Sequence, residues 1–307
     1  PKPGKDKPTV NIPAFSGDSA YQFVQDQVDF GPRVPNTPEH DSCAVYLADK
    51  LRSYGADVIV QEAQVTGYKG VKLQMKNIIG QFDPGNKRRI MLYAHWDTRP
   101  WADKDPDPDR KREPILGAND GGSGVGVLLE VARQIQQQAP NHGIDIIFFD
   151  TEDYGTPAFD PNEGDSRSWC LGSQYWTRNP HKKGYRAKYG ILLDMVGGKN
   201  ASFPKEGTSM HYAYWVVDKI WDSAKRTGNK GFFREDVTSP TTDDHLFVNE
   251  EAGIPSACIV EYHSDVLAMG LVGYGSFHHT HLDNMNVISA ETLEAVGETV
   301  MHVIYTE

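Results

Sequence analysis

Four short, almost unbroken apolar runs constrain this chain more than any other feature: residues 90–94, 144–149, 191–195 and 257–260. Each is bounded by polar or glycine-containing turns and is too short for an ordinary helix, so each reads as a strand buried on both faces. Helical patterns lie between them. Residues 41–54 carry Ala44, Leu47, Ala48 and Leu51 on one face and stop at Gly55. Residues 125–138 carry Val127, Leu128, Val131 and Ile135 as a stripe, 211–227 end at Gly228, and 290–305 form a last helix. Two β-like runs, 57–65 and 73–82, flank Thr66-Gly-Tyr-Lys-Gly70, which predicts an antiparallel hairpin. This alternation implies an α/β fold: a three-layer sandwich with a central twisted, mixed, mostly parallel sheet flanked by helices on both faces.

With 307 residues, 38% of them hydrophobic, the chain can build one large core. We expect one domain over residues 11–307 behind a flexible, proline-rich segment at 1–10. Forty-two acids against 31 bases give a net charge of −11, and no basic run exceeds three residues, which disfavours nucleic acid as a partner. The three cysteines, Cys43, Cys170 and Cys258, are far apart and include no CxxC, so neither a disulfide framework nor a thiolate zinc motif is expected. No apolar run approaches the roughly 20 residues that span a bilayer. The polar opening Pro1-Lys-Pro-Gly-Lys-Asp-Lys-Pro8 resembles a linker behind a removed export signal or lipid anchor, so an exported, periplasmic or membrane-tethered protein is the expectation. A trimmed cytosolic chain would read the same.

The chemistry follows from where the acids fall. In doubly wound sheets, ligand sites gather at the carboxyl ends of strands, and His95, Asp97, Asp150, Glu152, Asp153 and Asp194 sit at or just after the ends of apolar runs. Asp120 lies in the glycine-rich turn Ile115-Leu-Gly-Ala-Asn-Asp-Gly-Gly-Ser-Gly124, ahead of a helix. Carboxylates with one or two histidines and no cysteine suit catalytic zinc, which takes three protein ligands and keeps one position open. Any single acid here could merely cap a helix; as a set, they point to a metal. Gly121-Gly-Ser-Gly-Val-Gly126 fits neither a dinucleotide loop, a Walker loop nor a nucleophile elbow. The insertion at 102–113 reads as a solvated loop, without the glycine hinge of a calcium loop.

Five ordered blocks carry a resemblance: His95-Trp-Asp97, Gly117-Ala-Asn-Asp120, Phe149-Asp-Thr-Glu-Asp153, Leu192-Leu-Asp-Met-Val-Gly197, and Asp243-Asp-His245 followed by His279-Thr280. Over residues 29–305 the chain resembles the animal-type zinc-dependent glutaminyl cyclases, as a bacterial member, within the wider zinc aminopeptidase superfamily. The resemblance implies one zinc held by Asp120, Asp153 and His279, with Glu152 as the proton-transfer group. His95 and Asp194 would become ligands if a second metal binds. Asp194 and Asp243 are similar to acids that cyclases join by hydrogen bonds near the substrate amine. The implied substrates are peptides or proteins with N-terminal glutamine, which cyclise to pyroglutamate and release ammonia. A monomer is favoured.

The family more often has Glu-Glu where this chain has Glu152-Asp153, and a tryptophan before the metal histidine where this chain has His278. His281 is a decoy for His279, which precedes the family-like Thr280. For an aromatic substrate pocket the chain offers Trp169, Trp96, Tyr274 and Phe277, with Trp101 and Trp176 also near the blocks; Trp169 is preferred. Two rivals stand beside the cyclase: a two-metal aminopeptidase with Glu152 as base, and a non-enzymatic binding domain, which would be expected to lose metal ligands.

Overall fold

In the computed structural model, residues 11–160, 166–263 and 273–307 are described; the segment expected to be flexible, 1–10, lies outside them. The apolar runs become β3 (Arg89–His95), β4 (Gly143–Phe149), β5 (Gly190–Asp194) and β8 (Ser256–Val260), in which every residue is buried. The hairpin is β1 (Asp57–Thr66) and β2 (Lys72–Phe82), paired antiparallel in unbroken register from Asp57 opposite Gln81 to Thr66 opposite Lys72. The order is β1-β2-β4-β3-β5-β8. β2 meets β4 antiparallel, and β4, β3, β5 and β8 run parallel to one another.

Seven α-helices are described. They are α1 (Gly17–Val28), α2 (Pro38–Ser53), α3 (Gly122–Gln137), α4 (Leu171–Arg178), α5 (Gly207–Thr227), α6 (Asp244–Glu250) and α7 (Ala290–Thr306). Strands β6 (Phe203–Lys205) and β7 (Phe233–Val237) form a separate two-stranded parallel pair. The helix ends follow their side chains. Ser16, Thr37 and Ser289 each accept an amide proton as N-caps of α1, α2 and α7, and Gly228 closes α5 in the left-handed conformation.

Side chains alternate across a strand, and this alternation sorts the core into two layers. Ile90, Leu92, Ala94, Ile144, Ile146, Phe148, Ile191 and Leu193 face one cluster with residues of α1, α2, α3, α5 and α7. Met91, Tyr93, Ile147, Phe149 and Leu192 face a second cluster with Trp176 of α4 and Val248 of α6. Each fully buried large apolar side chain contributes roughly 1.5–3 kcal/mol. The carboxyl ends of the parallel strands lie level, with His95 opposite Phe149 and Asp194 opposite Val260.

Candidate active site

The segments leaving β3, β4 and β5 meet at that shared edge, and their backbones are bent there. Thr151 (φ 56°) and Met195 (φ 48°), just past β4 and β5, lie in the left-handed region. For a β-branched threonine this is genuine strain, which characteristically gathers at functional sites. The bend turns two successive amides back toward β3, where Asp97 accepts from Glu152 N at 3.0 Å and Asp153 N at 3.1 Å. Asp283 repeats the device, accepting from Asn119 N at 2.7 Å and Asp120 N at 3.0 Å. Two buried acids thus each fix the backbone of a metal-ligand candidate. Glycines let the Asp120 turn come this close. A Cβ on Gly121 would stand 2.8 Å from the Asp97 carbonyl oxygen, and one on Gly124 2.2 Å from that of Leu193.

His279 Nε2 lies 3.3 Å from Asp153 Oδ1 and 3.6 Å from Asp120 Oδ2. Ligand atoms about 2.0–2.1 Å from a tetrahedral ion stand roughly 3.3–3.4 Å apart, so this spacing suits zinc. All three residues are buried, yet Asp120 Oδ2 and Asp153 Oδ2 have no hydrogen-bond partner. Buried polar atoms are rarely left so, and the donor set therefore fits a cation. Behind the ring, Asp103 Oδ1 stands 3.6 Å from His279 Nδ1 and is itself held by Arg99 at 2.7 Å. Asp153, with its short side chain, reaches to 3.3 Å from His279 Nε2.

The opposite side of Asp120 makes a second set: His95 Nε2 is 3.1 Å from Asp120 Oδ1 and 3.2 Å from Asp194 Oδ1. His278 stands further off, with Nε2 4.0 Å from Asp120 and Nδ1 accepting from the Lys104 ammonium at 3.0 Å. His281 turns away to Asp105 and Glu113. Asp120 does not cap α3, whose N-cap is Gly121 without a side-chain bond. Asp243 does both jobs. It caps α6 through Asp244 N at 2.6 Å and also lines the cavity.

Burial pushes the Glu152 carboxyl well above the carboxylate range, with the charges of Asp153, Asp243 and Asp244 adding to it and His95 opposing. Asp153 is raised likewise, by burial and then by Asp120. Asp194 is pushed up to about 7 by burial and the nearby Asp243, against its hydrogen bond from His95. Burial, then His278 and Arg99, hold His279 well below the usual histidine range, leaving the neutral imidazole that metals require.

The cavity above this cluster is walled by Trp169, Tyr274, Val260, Met195, Thr241 and Thr242, with Glu152, Asp194 and Asp243 among its acids. Trp169 lies parallel to the His279 ring at 5.8 Å. Of the other aromatic candidates, Trp96 and Phe277 do not line the cavity. Strand alternation carries Trp96 to the α2 face, where it is fully buried, stacks on His40 at 4.3 Å and donates to the Lys76 carbonyl. Phe277 packs in the second core cluster. Asp150 also turns to the α2 face and pairs with His40 at 2.9 Å. Trp176 is core, and Trp101 packs on Tyr68 and Tyr154.

Several neighbours had no strong sequence signal. Asp103 and Lys104 come from the insertion read as solvated, although the Arg99–Asp103 spacing of four residues hinted at their pairing. Cys170 donates to Glu152 Oε1 at 3.1 Å, and Asp244, with both carboxylate oxygens unpartnered, lies fully buried beside Asp243.

A glutaminyl cyclase from Bacteroides thetaiotaomicron, solved with N-acetylhistamine, is 52% identical to this chain. It superposes with a TM-score of 0.94, covering 97% of this chain and 100% of that one. A protein from the same organism, described as a leucine aminopeptidase precursor, is also 52% identical, with a TM-score of 0.93 and coverage of 97% and 100%. Aminopeptidase YwaD of Bacillus subtilis is 27% identical over 238 residues, which are 75% of this chain and 44% of that protein. The chain spans about half the length of the curated relatives it matches, which also include a glutaminyl-peptide cyclotransferase of Drosophila melanogaster. The model of peptidase family M28 matches residues 77–304, a span that holds His95, Asp120, Glu152, Asp153, Asp194 and His279, and the chain belongs to that family.

Proposed function

We propose that this chain is a zinc-dependent glutaminyl-peptide cyclotransferase, converting N-terminal glutamine of peptides or proteins to pyroglutamate with release of ammonia. The observation that carries the reading is the likeness, along nearly the whole chain at half identity, to a solved glutaminyl cyclase. Asp120, Asp153 and His279 would hold one zinc, which when bound supplies Lewis-acid polarisation of the glutamine side-chain carbonyl. The nucleophile is the substrate's own α-amine, so no residue of the chain has to attack. Glu152 accepts a proton from that amine as the ring-closing C–N bond forms. It returns the proton to the side-chain nitrogen as the C–N bond to it breaks, and ammonia leaves. A carboxyl raised above its ordinary range suits both directions of this transfer. Asp194 and Asp243 are placed to receive the one remaining amine N–H, and the Cys170 thiol steadies Glu152. Trp169 and Tyr274 enclose the apolar part of the side chain and keep out the water that would hydrolyse the amide to glutamate.

One observation favours a second reading. The His95–Asp120–Asp194 set, spaced like the first, could take a second ion, as a two-metal aminopeptidase requires. Ammonia release from a glutaminyl peptide, run beside hydrolysis of a leucyl amide on zinc-replete protein, separates the two. Ammonia without leucine is expected; leucine without ammonia would overturn the cyclase reading.

A further inference from the structure

At the back of the cavity a different donor set converges on Asp243. Its carboxylate, the His245 ring and the Cys258 thiol each present a ligand atom within 4.8 Å of the other two, and all three residues are buried. Cys258 Sγ lies 3.8 Å from Asp243 Oδ2. Sulfur and oxygen on one tetrahedral zinc, about 2.3 and 2.0 Å from it, stand roughly 3.5 Å apart, so small side-chain shifts close the set. The His245 ring supplies an independent pointer. It is fully buried, its Nε2 meets Glu206 Oε2 at 2.9 Å, and its Nδ1 has no partner. A carboxylate behind one ring nitrogen with the other left free is the arrangement that orients histidine toward a metal. Glu206 is itself fixed by the amides of Thr208, Ser209 and Thr241 at 2.7–2.8 Å, so the ring cannot easily turn. Asp243 lines the cavity, which gives an ion a way in.

We propose that Asp243, His245 and Cys258 form a thiolate-containing site for a borderline or soft divalent cation such as zinc, cobalt or cadmium. It is separate from the Asp120–Asp153–His279 set, and its occupation shuts the active site. On binding, the Cys258 thiol and any protonated His245 Nδ1 release their protons to water as the metal–sulfur and metal–nitrogen bonds form; no electrons change hands. Thiolate selects softer cations, whereas the catalytic set holds only oxygen and nitrogen. The bound ion takes Asp243 away from the substrate amine. That consequence rests on the cyclase reading; the existence of the site does not.

The test adds cobalt(II) to protein already carrying its catalytic zinc and follows the sulfur-to-metal charge-transfer absorbance, which a site without sulfur cannot produce. The expected result is a band saturating at about one equivalent per chain and absent in both Cys258→Ala and Cys258→Ser. The band should persist in Cys170→Ala, which removes the other thiol near Asp243. Ammonia release should fall at least about tenfold as the band grows, and return when cobalt is stripped by a chelator and one zinc per chain is restored. No band, or a band that survives Cys258→Ala in folded protein, overturns the site. A band without loss of turnover overturns the inhibition. A band in protein that never cyclises glutamine supports the site while refuting the cyclase reading, so the two failures are distinguishable.

Discussion

The two ends of the parallel strands both bury charge, and they treat it in opposite ways. At the amino ends, Arg89 of β3 meets Asp145 of β4 through two bonds of 2.6 Å, with its remaining donors on the carbonyls of Phe82, Asp83, Asn86 and Ile144. Asp145 also accepts from Gln81 and the Tyr185 hydroxyl. Every charge there is answered. At the carboxyl ends, Asp120, Asp153, Asp244, His95, His245 and His279 all keep buried atoms without partners. A satisfied buried network specifies a fold, whereas a partly satisfied one costs stability and persists where a ligand completes it. The contrast marks one end of the sheet as scaffold and the other as the place where chemistry is done.

That contrast can be broken in graded steps. The largest effect is expected from Glu152→Gln: kcat for ammonia release falls about 10²–10⁴-fold while the zinc content of the purified protein is unchanged. Near-normal turnover would remove Glu152 from the proton path. At the other end, Arg89→Met strands a buried Asp145 and should cost about 3–5 kcal/mol in denaturant unfolding, with kcat of the folded protein kept within a few-fold. Asp153→Asn, compared in metal-free protein, should cost almost nothing or stabilise, because burial and Asp120 already disfavour its charge. Equal losses from Arg89→Met and Asp153→Asn would erase the distinction between the two ends.

Smaller effects sharpen it. Trp169→Ala removes one wall of the cavity and should raise KM roughly tenfold, about 1.4 kcal/mol, with little change in kcat. The smallest effect concerns the loop behind His279. Burial would raise the Asp105 carboxyl, but the amides of His281 and Asp107 and the His281 ring outweigh it and hold it at about 2, against an ordinary 3.8. The folded state therefore binds this proton less readily than the unfolded chain. The resulting stability is present above that ordinary value and is lost as pH falls through about 2. Asp105→Asn should flatten the Tm-against-pH curve in that acid window, by ~1 kcal/mol at most.

The four parallel strands were legible because a short run buried on both faces has few alternatives, and their acids were legible because they follow those runs. α1 was not read. Its only apolar residues are Ala20, Tyr21, Phe23, Val24 and Val28, and it packs partly through the buried Gln27, which bonds to the Phe23 and Gly122 carbonyls. The motifs place Trp96 and Asp150 beside the site, but the two-residue period of a strand end turns them to the opposite face from His95 and Asp97. Lys104, Cys170 and Asp283 were missed for a different reason. Lys104 meets His278 across 174 positions and Asp283 meets Asn119 across 164, contacts that no local pattern encodes.

The most direct measurement is a zinc titration of metal-free protein, read by ammonia release from a glutaminyl peptide. The rate should climb linearly and break at about one zinc per chain, where the Asp120–Asp153–His279 set is filled. A break at about two, with leucyl-amide hydrolysis rising in place of ammonia, would contradict it and assign the His95–Asp120–Asp194 set to a second catalytic ion.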